Sequence, residues 1–186
     1  MYCKRRAVAI GLLMGGIIGF QGCTQPTFPD LRGTHLPPAS DIQGDEKNVE
    51  AIKSVFMRAE DAIHRKDLSA LMELYSESYK HGGYTKNTVK AVWEDLFEHN
   101  HDFSDTHIFS KIKVETQKAQ PQAQITCTGS LWAISNDTAE RVNIDSWYGE
   151  VHYLVYEQGT WRLAGHFWEI PRGKDTRPTL LPHPFF

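Results

Sequence analysis

Proton chemistry needs a histidine or carboxylate beside other polar side chains, and the first such place in this sequence is His81. This residue precedes Gly82-Gly83 and lies between Tyr79 and Tyr84. An imidazole titrates near neutral pH, so His81 could serve as a general acid or base. The structural alternative is that His81 braces a turn in which the two glycines supply unusual backbone angles. The sequence leaves both roles open.

A second group of polar residues lies towards the end of the chain. His152 and His166 fall on either side of Gln158-Gly159, a pair that predicts a hairpin turn, so both should lie on neighbouring strands. Asp145 and Tyr148 precede His152 on the same predicted strand. Because alternate residues of a strand point to opposite faces, only part of this group can face one pocket. The alternative is that these side chains form hydrogen bonds within the sheet or line a dimer interface.

Three of the nine histidines fall in residues 99–107, which read His-Asn-His-Asp-Phe-Ser-Asp-Thr-His. Imidazole and carboxylate ligands together suit zinc and similar metals. The stretch matches no known metal-binding motif, including HxHxDH. It also falls where we expect a loop between the last helix and the first long strand, and polar residues are common in loops. We therefore predict no metal site here and no other cofactor.

Composition excludes several classes of function. Hydrophobic residues make up 40% of the chain and charged residues 23%, which is typical of a globular protein. The formal net charge is −3, and no basic stripe is present, so we expect no nucleic-acid partner. The chain contains no P-loop and no GxGxxG, CxxC or GxSxG motif. At 186 residues it is long enough for one domain with extensions.

The first 22 residues are typical of a secretory signal peptide. Lys4, Arg5 and Arg6 form a basic start, and residues 7–20 form an apolar run without a charge. A membrane-spanning helix needs about 20 apolar residues, so this run is too short for one. Phe20-Gln21-Gly22-Cys23 resembles the lipobox of bacterial lipoproteins, which implies cleavage after residue 22 and lipidation of Cys23 with fatty acyl chains such as palmitate. The alternative is ordinary secretion with an incidental cysteine.

This resemblance also implies where the protein resides. We expect a cell-envelope lipoprotein held in the membrane by the lipid on Cys23. Thr24, in place of an aspartate, implies sorting to the outer membrane, facing the periplasm. Cys3 would leave with the signal peptide and Cys23 would carry lipid. Cys127 would then be the one remaining thiol, so no intramolecular disulfide could form, and we expect it to be buried in a strand as a small apolar residue.

The remaining residues predict an α+β domain. Residues 23–44 are rich in proline and read as a tether, residues 45–170 as the domain, and residues 171–186 as an irregular tail. Apolar spacings of three and four predict helices that begin near Asp45, Asp67 and Thr85. Residues rich in Ile, Val, Thr, Tyr and Trp then predict strands. Their expected ranges are 107–115, 122–135, 141–157 and 160–169.

Three stretches resemble the NTF2-like superfamily, in its SnoaL-like and DUF4440-like branches. They are Lys66-Asp67-Leu68 with the apolar residues that follow, Tyr79-Lys80-His81-Gly82-Gly83-Tyr84, and Gly159-Thr160-Trp161-Arg162-Leu163. The resemblance covers residues 47–169. It implies a cone in which three N-terminal helices pack on a curved antiparallel sheet, with a pocket at the wide end and homodimers formed through the sheet.

The resemblance also suggests where a pocket and its chemistry would lie. Ketosteroid-isomerase-like relatives place an aspartate shortly after the second helix, where this sequence has His81-Gly82-Gly83, so the usual carboxylate base is missing here. The expected catalytic set is His81, Asp145 and His152, and the expected pocket residues are Tyr79, Tyr84, Trp93, Tyr148 and His166. We expect a domain that binds a small apolar ligand or a partner protein. The alternative is a SnoaL-like lyase or isomerase that uses a histidine and an aspartate as its acid–base pair.

Overall fold

The computed structural model describes residues 31–81 and 83–165. The predicted signal peptide, Cys23 (the predicted lipidation site), Gly82, His166 and the C-terminal tail lie outside the described residues. No helix within the described ranges combines the length and apolar character needed to cross a membrane.

Three helices form where the apolar spacing predicted them. Helix α1 spans Glu46–His64 and begins at Asp45, whose side chain accepts a hydrogen bond from the Asn48 amide. Helix α2 spans Leu68–Met72 and is capped by Asp67. Helix α3 spans Lys86–His99 and is capped by Thr85. A side-chain acceptor at each N-terminus satisfies a backbone amide that the helix itself leaves without a partner.

The strands form one large sheet and one small one. The large sheet contains β1 and β2 from the N-terminal part of the chain and four strands from the C-terminal half. The small sheet is the pair β3 and β4. The strands are β1 (Gly33–His35), β2 (Asp41–Gln43), β3 (Lys80–His81), β4 (Tyr84–Thr85), β5 (Asn100–Glu115), β6 (Gln122–Ser135), β7 (Arg141–Glu157) and β8 (Thr160–Leu163).

Strands β5 to β8 form an antiparallel meander, as predicted. The β7–β8 turn is Gln158-Gly159, and both residues have positive φ, which is the geometry of a tight hairpin. Strands β1 and β2 both pair with β5 in parallel. Both lie within residues 23–44, for which the sequence predicts a tether. In the described part of that segment, these two short strands cover the edge of β5.

Strand β5 begins earlier than the sequence indicated. The predicted loop at residues 99–107 is wrong, because α3 runs to His99 and β5 starts at Asn100. Phe103, Asp105, His107 and Phe109 alternate into the interior, which is the spacing of a strand with one buried face. Two of these inward positions carry polar side chains, so the run lacked the apolar alternation that identifies a strand.

The core lies between the helices and one face of the large sheet. Helix α1 buries Val49, Ile52, Val55, Phe56, Ala59, Ala62 and Ile63. Strand β6 buries alternate residues against it, namely Ala123, Ile125, Cys127, Leu131 and Ala133. Trp161 from β8 is buried as well, and its indole N–H donates to Asn48 of α1 over 3.1 Å. This arrangement is the α+β cone that the resemblance implied, with helices on the inner face of a curved sheet.

Candidate functional site

The residues predicted around His81 lie near α3. His81 is half-buried on β3, opposite Tyr84. Tyr79 and Trp93 are buried, and both contact Tyr75: the ring centroids of Tyr75 and Tyr79 are 5.3 Å apart, and the Trp93 indole N–H donates to the Tyr75 hydroxyl over 3.2 Å. Burial raises the pKa of both tyrosine hydroxyls. Tyr79 and Trp93 therefore form part of a packed aromatic group.

The residues predicted on β7 do not converge. His152 is buried, Asp145 is half-buried, and Tyr148 is 88% exposed. Asp145 and His152 are seven residues apart on one strand, which separates their backbones by roughly 20 Å. Burial raises the pKa of Asp145, although a hydrogen bond from the Ser146 amide opposes this. The structure thus places these two members of the predicted catalytic set far apart.

A different set of ionisable side chains does meet in the interior. It consists of Glu60 and His64 from α1, Asp105 and His107 from β5, and His152 from β7, and we call it the buried polar centre. Glu60 and His64 are one helical turn apart and therefore share a face of α1. Asp105 and His107 are alternate residues of β5, so both point inward towards that helix. Asp105, His107 and His152 are almost completely buried.

Within this centre, the Nδ1 atom of His107 lies beside two carboxylates. Its Nδ1 is 3.5 Å from Asp105 Oδ2 and 3.6 Å from Glu60 Oε1. On the other side of Asp105, Oδ1 lies 3.2 Å from Nε2 of His64. His64 is half-exposed, so the centre reaches solvent along its ring. The four side chains form a continuous chain of charges from the interior to the surface.

Strand β1 also contributes to this centre. Thr34 pairs with His107 in the sheet, and its hydroxyl donates a hydrogen bond to Glu60 Oε1. This contact holds the Glu60 carboxylate of α1 from the edge strand that pairs with β5. The N-terminal segment thus helps to orient a member of the buried polar centre.

Aromatic side chains enclose the centre. Phe56 lies edge-to-face with His107 and with His152, at ring-centroid distances of 5.2 and 5.5 Å. The Trp147 ring lies 5.2 Å from the His107 ring. These neighbours exclude water, which lowers the local dielectric constant and strengthens electrostatic interactions inside.

The pKa values of the centre are set by a competition between burial and charge. Burial lowers the pKa of His107, but the carboxylates of Asp105 and Glu60 outweigh it, so the pKa is raised overall. Burial raises the pKa of Asp105, but His107 and His64 outweigh it, so that pKa is lowered. The pKa of His64 is raised by its contact with Asp105, with burial opposing. The carboxylates therefore create a negative potential that attracts a proton or another cation.

The Asp105 carboxylate has contacts but no good hydrogen bond. Among the described residues, neither of its oxygens accepts a hydrogen bond of proper geometry, although two imidazoles lie beside it. A buried carboxylate usually accepts several hydrogen bonds. The arrangement can therefore hold a proton, bind a cation, or accept hydrogen bonds from a ligand.

The surface offers a second, weaker candidate. An open groove of about 780 Å³ lies beside α2 and the start of α3. Two of its cations already have partners, since Lys86 binds Glu77 over 2.7 Å and Arg162 donates to the Glu73 carbonyl. The lining residues are Leu68, Ser69, Met72, Glu73, Glu77, Lys86, Lys90 and Arg162. A ligand in this groove would have to break these pairs.

Three members of the centre carry predictions from the sequence. Asp105 and His107 belong to the stretch that predicts a loop without a metal site, and His152 belongs to the predicted catalytic set. The three histidines of that stretch separate, because His99 ends α3 and His101 contacts Asn136 on the surface. One sequence signal does indicate the centre. Phe103, Asp105, His107 and Phe109 are alternate residues, which is the spacing expected if two polar and two aromatic side chains share the inward face of a strand.

Comparisons with known proteins match this chain by structure alone. No protein-family model matches it, and no curated protein matches it in sequence. Among solved structures, 59 chains match. A candidate scytalone dehydratase from Novosphingobium aromaticivorans has a TM-score of 0.50 at 17% identity, and the match covers 64% of this chain and 80% of that one.

Two other matches superpose less closely. A conserved protein from Planctomyces limnophilus has a TM-score of 0.48 at 18% identity, covering 65% of this chain and 94% of its own. A ketosteroid isomerase-like protein from Erwinia carotovora has a TM-score of 0.46 at 14% identity, covering 65% and 94%. At such low identities, likeness to the dehydratase concerns the fold. The described residues of this chain thus adopt the NTF2-like α+β cone fold.

Proposed function

We propose that this chain is a lipid-anchored protein of the bacterial envelope whose NTF2-like domain binds a small ligand at the buried polar centre. The observation that carries the binding role is the burial of His107 beside the carboxylates of Glu60 and Asp105. Burying charged groups costs several kcal/mol of folding free energy per ion. Proteins in which apolar residues of similar volume replace a buried ion pair are often more stable. A domain that needed only a stable core would not require this arrangement, whereas a binding site would.

The chemistry of the centre indicates the kind of ligand. Two carboxylates accept hydrogen bonds and attract positive charge, while Phe56 and Trp147 present apolar surface beside them. The ligand should therefore carry a cationic or hydrogen-bond-donating group on an otherwise apolar body. It would approach along His64, which is the half-exposed member of the centre.

Binding fits the geometry better than the lyase or isomerase alternative. Acid–base catalysis by the predicted residues needs His81, Asp145 and His152 near one substrate. Asp145 and His152 are roughly 20 Å apart along β7, and His81 lies in the other sheet. Asp105 and His107 are enclosed by protein, with side-chain exposures of 0%. An enclosed centre suits a bound ion or a small group more than turnover of a substrate.

The binding proposal is tested with two matched aspartate variants on the same strand. Asp105→Asn removes a buried charge from the centre, whereas Asp102→Asn changes an exposed residue with φ 50°, a conformation that asparagine tolerates. A thermal-shift and native mass-spectrometry screen of amine-bearing small molecules on the full chain should give hits that Asp105→Asn loses and Asp102→Asn keeps. Hits that both variants bind equally would place the ligand elsewhere and refute the proposal.

The envelope anchor has its own test. The basic start, the apolar run and Gly22-Cys23 support lipidation at Cys23. Cys23→Ser should abolish incorporation of labelled palmitate, and lipoprotein-type cleavage after residue 22 should stop. Palmitate incorporation that survives this substitution would contradict the proposed anchor.

A further inference from the structure

We propose that Glu60, Asp105 and His107 form a binding site for a divalent first-row transition-metal ion, with zinc as the probe. This inference rests on the proposed function, because it names the ligand of the same buried polar centre. It is carried by the donor spacing, by the contacts that orient both carboxylates, and by the hydrogen-bonding state of Asp105.

The three donors have the spacing that a metal ion requires. One ligand atom from each residue lies within 4.8 Å of the other two. His107 Nδ1 is 3.5 Å from Asp105 Oδ2 and 3.6 Å from Glu60 Oε1. Two ligands of a tetrahedral zinc, each about 2.0 Å from the metal, lie roughly 3.3 Å apart. The two separations from His107 need a contraction of only a few tenths of an ångström to surround an ion.

Both carboxylates are oriented by further contacts. Thr34 donates a hydrogen bond to Glu60, and Nε2 of His64 lies 3.2 Å from Asp105 Oδ1. Metal ligands in proteins are typically held by such outer contacts, which fix their direction and raise their affinity for the ion. The centre therefore has both the donor atoms of a metal site and the outer contacts that orient its two carboxylates.

The donor set favours a borderline divalent cation. Two carboxylate oxygens and one imidazole nitrogen suit zinc, manganese or iron(II), whereas calcium takes six to eight oxygen ligands and magnesium usually keeps several waters. The two carboxylates balance the charge of a divalent ion. An ion here would also give the Asp105 oxygens the strong partner that no hydrogen bond from a described residue supplies. Three protein ligands leave a fourth position for a donor group of a small molecule.

Zinc titration of the full chain tests the inference. The protein is purified in detergent, stripped with a chelator, and titrated with zinc against a chromogenic competitor. We expect one ion per chain. Glu60→Gln keeps the shape of the side chain and its contact with Thr34 but loses the charge, and it should weaken zinc binding at least tenfold. Thr34→Val removes an orienting contact and should weaken it about 10- to 100-fold.

Surface histidines provide the matched control. His99 and His101 are about half-exposed and lie on the same stretch of chain. The double variant His99→Ala/His101→Ala should bind zinc as the wild type does. If this variant loses the ion, or if Glu60→Gln binds as tightly as wild type, the inference is overturned. Circular dichroism checks that each variant is folded. If Glu60→Gln does not fold, the zinc affinity of Thr34→Val tests the inference instead.

The inference and the proposed function can fail separately. Absence of stoichiometric zinc, manganese or iron(II) binding overturns the metal site. Small-molecule hits that depend on Asp105 would still support the binding proposal in that case. Conversely, zinc binding that depends on Glu60 supports the metal site even when no small molecule binds. The absence of small-molecule hits would then count against the wider ligand-binding role.

Discussion

Phe56 contacts both completely buried histidines of the buried polar centre. Its ring meets the rings of His107, His152 and Phe109 in edge-to-face geometry, at centroid distances between 4.8 and 5.5 Å. Edge-to-face contacts of this kind stabilise aromatic pairs beyond the area they bury. One apolar side chain therefore both completes the core and holds two imidazoles in place.

Removing this ring should be costly, and the neighbouring residue offers a control. Phe56 is 1% exposed and Met57 is 55% exposed on the same helix. Phe56→Ala should lower the free energy of unfolding by about 3–5 kcal/mol, because it leaves a cavity in the core. Met57→Ala should change it by about 0.5 kcal/mol or less. Urea denaturation followed by circular dichroism measures both, and similar losses for the two variants would contradict the assigned packing.

Cys127 should be chemically inert in the folded protein. Burial raises the pKa of its thiol to about 12, although the Trp147 indole N–H, 3.4 Å from the sulfur, opposes this shift. At pH 8 only about one thiol in ten thousand would be ionised, and the thiolate is the reactive form. N-ethylmaleimide should therefore label Cys127 only after denaturation, as measured by peptide mass. Labelling of the native protein at the rate of an exposed cysteine would show that the thiol is accessible.

At the scale of elements, the centre depends on how β5 meets its neighbours. Strand β1 brings Thr34 opposite His107, and β6 brings Gly129 opposite the same residue. Gly129 lies at a register shift between β6 and β7, beside Trp147. Because glycine has no side chain there, the Trp147 ring can lie close to β6 and cover His107. A local irregularity of the sheet thus shapes the wall of the centre.

Gly129 should tolerate no side chain. A Cβ atom there would lie 2.0 Å from the Thr106 carbonyl oxygen and 2.5 Å from the Trp147 ring. Gly129→Ala should lower the free energy of unfolding by at least about 3 kcal/mol, since neither backbone nor indole can move freely. Gly149 has φ 66° but nothing within 4 Å of its Cβ position, so Gly149→Ala should cost only about 1–2 kcal/mol. Thermal or urea unfolding compares them, and an equal cost would refute the close approach.

At the scale of the whole molecule, the outer face of the large sheet is the candidate interface. Tyr148 is 88% exposed, and the Trp132 ring is stacked under Arg141 at 4.6 Å. Exposed aromatic side chains are typical of protein interfaces. A homodimer through this face, predicted from the family resemblance, stays a prediction that these residues support.

Sedimentation can test the dimer directly. Residues 24–186, which lack the signal peptide and Cys23, should sediment with twice the monomer mass. Tyr148→Lys should weaken self-association, because it places a charge in the proposed interface. Met57→Lys introduces the same charge on exposed α1 and should leave the dimer intact. A monomer at tens of micromolar, or equal weakening by both variants, would contradict the proposed face.

The sequence by itself determined the helices, the last hairpin and the fold class of this protein, but not where β5 begins. Apolar residues at spacings of three and four, with Asp45, Asp67 and Thr85 as caps, specify the helices through interactions within a few residues. Gln158-Gly159 specifies its hairpin for the same reason, because positive φ at both positions is a local requirement. The order of helices followed by a strand meander then specified the α+β class, and the structure confirms it.

Only the tertiary structure decided the site. Glu60 and His107 are 47 residues apart, and each alone looks like an ordinary polar residue of a helix or loop. Their meeting depends on which face of α1 packs on which strand and on where β5 begins. Sequence periodicity shows which face of an element is apolar but not which element packs on that face. Polar residues at inward positions also remove the apolar alternation by which a strand is recognised. Long-range packing therefore placed His107 beside two carboxylates, while local chemistry fixed only the helix that carries Glu60.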